Sequence, residues 1–233
     1  MEDGQIADLP PAGFYLPNFL GLEEEQHILS EVHKLPPTRW TALSHRRLLS
    51  LPSPLTGTGR DTLLAAPLPA YLDDPILPRL KTLGLFVDSP HRAPNHILVN
   101  EYQPGEGIMP HEDGPAYHPI TATVSLGGHT VLDIYKKNDQ GEREREPTWR
   151  ILQEPRSLLV TTGEMYTGTL HGIVETEVDQ QLDSEHIVNW HLLGDPAAFA
   201  AGCQKRETRV SLTYRDVLKV AKVGGALKFM AKR

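Results

Sequence analysis

The chain has a single cysteine, Cys203, among 233 residues, so no intrachain disulfide can form. That points to a reducing compartment, the cytosol or nucleus, with Cys203 as a surface or loop thiol. Aromatic residues make up only 6% of the chain, and no base-stacking surface announces itself in the composition. Positive charge is also scarce. With 23 Lys and Arg against 30 Asp and Glu, the formal net charge is −7. A broad basic face that grips nucleic acid by counterion release is therefore not expected, although local basic clusters remain compatible with the total. No stretch approaches the ~18 consecutive apolar residues of a membrane span. The acidic start, Met1-Glu-Asp-Gly, has none of the basic and apolar features of a targeting signal.

What is present divides into three segments. Residues 1–94 form an N-terminal portion, opening with a Pro-rich lead-in to Leu20. Leu22–Leu35 reads as an amphipathic helix with Ile28, Leu29, Val32 and Leu35 on one face; glutamates crowd its first turn and Pro36-Pro37 ends it. Residues 38–75 read as an irregular, loop-rich lid, and Ile76–Leu85 as a shorter supporting helix. From 95 to 217 the texture is β-like, with strands expected at His96–Tyr102, Ile120–Leu126, Thr130–Tyr135, Ser157–Thr161, Leu170–Val174 and Arg209–Tyr214. Short strands without intervening helices predict a mainly β fold with flanking helices, built on a jelly-roll (double-stranded β-helix) core. A charged loop at 136–150 and a long insert at 175–207 interrupt it, the insert being either functional or disordered. Residues 218–233 form a basic tail, read as a helix or a frayed end. A core of this size suits a monomer.

Chemistry concentrates in three places. Side chains two apart on a strand share a face, so His111 and Asp113 can point at one metal ion, with Gly114 turning the chain and Pro110 fixing its approach. His171, from another strand, completes a two-histidine, one-carboxylate set of the kind that binds non-haem Fe(II) with open positions. The remaining histidines among the 11 read as surface or hydrogen-bonded residues. In 209–215, Arg209, Ser211, Thr213 and Arg215 lie on one face, while Val210, Leu212 and Tyr214 lie on the other. Two arginines facing into a sandwich are costly unless an anion meets them. They lie ~20 Å apart along a strand, which suits the bracketing of an elongated dianion, with Arg215 nearer the metal. Asn100 and Tyr102, also two apart, are positioned to hydrogen-bond the same anion.

Asn100-x-Tyr102-x-x-Gly105, His111-x-Asp113, His171 and Arg209-x5-Arg215 together resemble the motif set of the AlkB family of Fe(II)/2-oxoglutarate dioxygenases. The runs Pro104–Pro115 and Ser125–Asp133 are most similar to that family's sixth eukaryotic branch. The resemblance spans roughly Phe14 to Val217. It implies iron on His111, Asp113 and His171, and 2-oxoglutarate on Asn100, Tyr102, Arg209, Ser211 and Arg215. It also implies O2 as co-substrate and a methylated nucleic acid as substrate, oxidatively demethylated or hydroxylated. The family's lid maps onto 38–75, with Trp40, Arg46 and Arg47 as candidate substrate contacts. The 38 positions from His171 to Arg209 exceed the bacterial namesake's spacing. Two alternatives keep the fold: a dioxygenase acting on a protein or small molecule, and a catalytically weak binding module. A zinc hydrolase is third, since it has no use for the keto-acid arginines.

Overall fold

Alternation with period two sorts the residues of the long strands onto two faces, and each face finds a different partner. The computed structural model describes residues 2–10, 12–138 and 140–222. Strand β1 (Gly13–Leu16) leads to helix α1 (Leu22–His33), then β2 (Thr41–Leu43), β3 (Arg46–Leu51), β4 (Thr62–Leu64) and two short helices, α2 (Ala70–Asp73) and α3 (Ile76–Thr82). There follow β5 (His96–Tyr102), β6 (Ile108–His111), β7 (Ile120–Gly127), β8 (Thr130–Lys136), β9 (Trp149–Gln153) and β10 (Leu158–Thr162). Helix α4 (Gly163–Thr167), β11 (Thr169–Ile173), β12 (Val178–Gln180), β13 (Cys203–Lys205), β14 (Arg209–Arg215) and β15 (Lys219–Ala221) complete the described chain. Among the described residues no helix is long and apolar enough to cross a membrane.

A seven-stranded sheet, β1-β10-β7-β14-β5-β3-β2, faces a four-stranded sheet, β6-β11-β8-β9, in a jelly roll. The outer face of the larger sheet is largely apolar. Val210, Leu212 and Tyr214 of β14 join Ile97 and Val99 of β5 and Ala122, Val124 and Leu126 of β7 beneath Ile28, Val32, Leu72, Ile76 and Leu80 of the helices. Each such aliphatic side chain, fully buried, contributes about 1.5–3 kcal/mol, so this cover fixes which face of the sheet is closed. Helix α1 is also tied by a polar contact, because buried Glu25 accepts a hydrogen bond from the Gly127 N–H at 2.9 Å.

Three expectations need correction. The 38–75 segment is not irregular throughout: β3 pairs with β5 in the main sheet, with Leu49 and Leu51 buried on its helix-facing side. Of the two alternatives for the 175–207 insert, functional or disordered, disorder falls: the insert is ordered. Its Leu182, Ile187 and Phe199 pack on Val131 and Leu152, closing the outer face of the smaller sheet. Asn189 of the insert hydrogen-bonds both the N–H and the C=O of Leu152. In the tail, Lys219–Ala221 is a short strand parallel to β4, not a helix; the remainder of the expected tail, from 223 on, lies outside the described residues.

Candidate active site

Strands β6 and β11 run antiparallel with His111 directly opposite His171, and their ring centroids lie 4.4 Å apart. Close approach depends on Gly172, where a Cβ would sit 3.0 Å from Ile108 O and Pro110 N. The strand ends at His111, so Asp113 arrives from the irregular chain just beyond it rather than by strand alternation. Gly114 has no positive φ, and the chain turns just beyond it, at Pro115-Ala116. His111, Asp113 and His171 offer ligand atoms that all lie within 4.8 Å of one another, a set that could hold a metal ion.

The surroundings of this trio suit a divalent cation. His111 Nδ1 lies 3.0 Å from the Met109 carbonyl, so that nitrogen carries the proton and Nε2 is left with its lone pair. Arg215 Nη2 donates to Asp113 Oδ1 at 2.6 Å, fixing the carboxylate and leaving its second oxygen. Burial holds the His171 imidazole down to about 4, against the pull of nearby Asp113, so at neutral pH it is an uncharged ligand. Tyr117 lies under Arg215, 4.7 Å from ring centroid to guanidinium carbon. Arg215 thus pairs with the trio's carboxylate through Nη2, while its buried Nε has no hydrogen-bond partner among the described residues.

A cavity of ≈ 780 Å³ opens beside the trio, between the sheets. Its larger-sheet wall is mostly polar, with Asn100, Tyr102, Thr121, Thr123, Arg209, Ser211, Thr213 and Arg215 beside Leu98 and Leu159. These are the alternate positions to the apolar outer face. Arg209 lies deep in this wall, 3% exposed, with Nη2 at 2.9 Å from Ser125 Oγ and 3.2 Å from Gln153 Oε1. Among the described residues no carboxylate lies within 4 Å of it. Burial pulls its guanidinium down to about 10, so it remains a cation at neutral pH. Asn100 and Ser211 face each other across β5 and β14, as do Tyr102 and Arg209. A buried cation with only neutral partners, next to amide and hydroxyl groups turned to an open cavity, is an anion site.

The candidate substrate contacts separate. Arg46 lines the cavity, and its Nε donates to Asn100 Oδ1 at 3.2 Å. Trp40 and Arg47 do not line it. Strand alternation sends Arg47 to the helix side, where it pairs with Glu101 at 2.7 Å and covers the Trp40 ring at 4.3 Å. The mouth is instead formed by Leu55, Gly59, Arg60 and Asp61 with Leu218 and Lys219, where Lys219 pairs with Asp61. Sequence reasoning missed Gln153, Thr121, Thr123 and Tyr117. The two threonines were within reach of the same period-two argument applied to 209–215; Tyr117 and Gln153 carried no local signal.

Residues 14–215 match the family described as the 2OG-Fe(II) oxygenase superfamily, and the chain belongs to it, as a 2-oxoglutarate-dependent dioxygenase with iron as its metal. Within that family it is 38% identical over 229 residues to a zebrafish (Danio rerio) protein named "Probable RNA/DNA demethylase ALKBH6", covering 94% of this chain and 92% of the relative. It is 28% identical over 223 residues to the mouse (Mus musculus) "tRNA (carboxymethyluridine(34)-5-O)-methyltransferase ALKBH8", covering 90% of this chain but only 31% of that longer protein. Among solved structures, that of OsALKBH1 aligns with a TM-score of 0.54 at 16% identity, covering 89% of this chain and 99% of its own, a likeness of fold.

Proposed function

We propose that the chain hydroxylates a methyl group on nucleic acid, with His111, Asp113 and His171 holding Fe(II) and the polar wall holding 2-oxoglutarate. With O2, the metal and keto acid supply the oxidative chemistry, giving succinate, CO2 and a hydroxylated C–H position that on nitrogen collapses to formaldehyde. The protein's residues prepare that chemistry. His111 and His171 present neutral nitrogens, and Arg215 orients Asp113. Arg209, set in place by Ser125 and Gln153, meets the far carboxylate of the keto acid, with Asn100, Tyr102 and Ser211 lining its length. The remaining cavity, toward Arg60 and Lys219, receives the substrate. The observation that carries this reading is the buried, carboxylate-free Arg209 opening onto the same cavity as the metal-binding trio.

The nucleic-acid substrate is supported by the names of the relatives and by Arg60 and Lys219 at the mouth. The chain acts as a monomer, since helices and insert cover both outer sheet faces within one chain. Exposed Cys203 suits the cytosol or nucleus. The test is succinate release with Fe(II), 2-oxoglutarate and ascorbate, comparing protein alone with added methylated single-stranded DNA, duplex DNA, RNA and transfer RNA. One nucleic acid is expected to stimulate release, and His111→Ala or Asp113→Ala to abolish it. Full turnover in either variant overturns the metal assignment; succinate that no nucleic acid stimulates moves the substrate to proteins or metabolites.

A further inference from the structure

We propose that Arg46 is a positioning residue of the anion pocket: it sets the orientation of the Asn100 amide, so that Asn100 turns N–H donors rather than its carbonyl toward the co-substrate. This rests on the reading that Asn100 and Arg209 hold 2-oxoglutarate.

A guanidinium has only donors, so the atom of Asn100 that meets Arg46 Nε must be the amide oxygen, as the 3.2 Å contact has it. With that oxygen engaged, the amide's two N–H groups are what remain for the cavity that both residues line. The opposite orientation would set a carbonyl dipole against a carboxylate and leave Arg46 Nε facing an amide N–H. No other described side chain hydrogen-bonds Asn100, so Arg46 alone makes this choice. Strand order makes the arrangement specific. In β3, Arg47 stands opposite Glu101 and Leu48 opposite Asn100, which puts Arg46 beside Tyr102. On the other side of Tyr102, in β14, stands Arg209. Arg46 therefore also adds a second positive charge at this end of the pocket. Arg47, its neighbour in sequence, is spent on Glu101 on the far side of the sheet.

The test is calorimetric titration of 2-oxoglutarate into the full chain loaded with Mn(II), which binds without turnover. Arg46→Ala should weaken binding about tenfold, the scale of one hydrogen bond to a charged group. In an Asn100→Ala background the same change should weaken it by less than about twofold, because the effect acts through Asn100. Arg46→Lys, also donor-only, should stay within about threefold of the unaltered protein. Arg47→Ala should leave binding unchanged. Equal losses with and without Asn100 would overturn the positioning role. So would normal 2-oxoglutarate binding in Arg46→Ala with a raised nucleic-acid requirement, which would make Arg46 a substrate contact. Arg209→Met separates the two failures: if it too binds normally, the pocket reading itself falls, whereas loss in Arg209→Met alone removes only the inference about Arg46.

Discussion

Arg206 and Arg209 are three residues apart and both nearly inaccessible, at 8% and 3% exposure, yet their surroundings are opposite. Arg206, under the insert, is saturated. Its Nε and Nη2 bind Asp179 at 2.8 and 2.7 Å, and its Nη1 donates to the Val174 carbonyl at 2.7 Å. Arg209, in the cavity wall, has a serine and a glutamine. His129 lies 3.2 Å from the Asp179 carboxylate that Arg206 holds, whereas neither ring nitrogen of buried His96 has a hydrogen-bond partner among the described residues. Most buried polar groups in a fold are satisfied internally. A buried guanidinium with only neutral partners, opening onto the cavity, marks where an anion completes the structure.

The largest effect should come from breaking the satisfied side. Arg206→Met leaves Asp179 buried without its guanidinium, and urea unfolding should register a loss of about 3–5 kcal/mol. Burial works against the Asp179 carboxylate, but hydrogen bonds from Arg206 and His129 together hold it below the usual range. Its stabilisation is thus complete above about pH 4 and fades only as the pH falls further.

Burial holds His96 down to about 4. Between about 6.5 and 4 the unfolded chain binds a proton that the folded one refuses, so stability should decline through that window as the pH falls, by about 3 kcal/mol from this residue. His96→Leu should flatten that part of a pH series of urea midpoints. An unchanged slope would mean that His96 finds a partner in solution. The smallest effect is expected at the outward-facing pair: Arg47→Ala removes a part-exposed arginine and its contact over Trp40, while buried Glu101 keeps Gln103 Nε2 at 3.2 Å and His33 Nε2 at 3.4 Å. Stability should fall by no more than about 1 kcal/mol, with no change in nucleic-acid requirement.

Much of the site was legible because strand alternation is local. The parity of Arg209, Ser211, Thr213 and Arg215, and of Asn100 and Tyr102, depends only on their belonging to strands. What escaped was non-local. Arg215 meets Asp113 across 102 positions, which no spacing reveals. Strand β3 was hidden because its two arginines and the flanking Pro52 read as loop, although Leu49 and Leu51 alternate correctly. The insert was left open as functional or disordered because its ties are non-local: Asp179 and Arg206, which pair in the fold, are 27 residues apart. The mouth joins the 55–61 loop to Leu218 and Lys219, a pairing that only the fold creates.

The most direct test is thermal unfolding of the unaltered protein and of Arg209→Met, each alone and with Mn(II) plus 2-oxoglutarate. Removing a buried charge without a carboxylate partner should leave the ligand-free variant as stable as the unaltered protein, or more so. The ligands should raise the melting temperature of the unaltered protein, while 2-oxoglutarate should add nothing in the variant beyond the effect of metal alone. A ligand-free variant destabilised by several kcal/mol, with its 2-oxoglutarate response intact, would make Arg209 a structural residue and contradict the account.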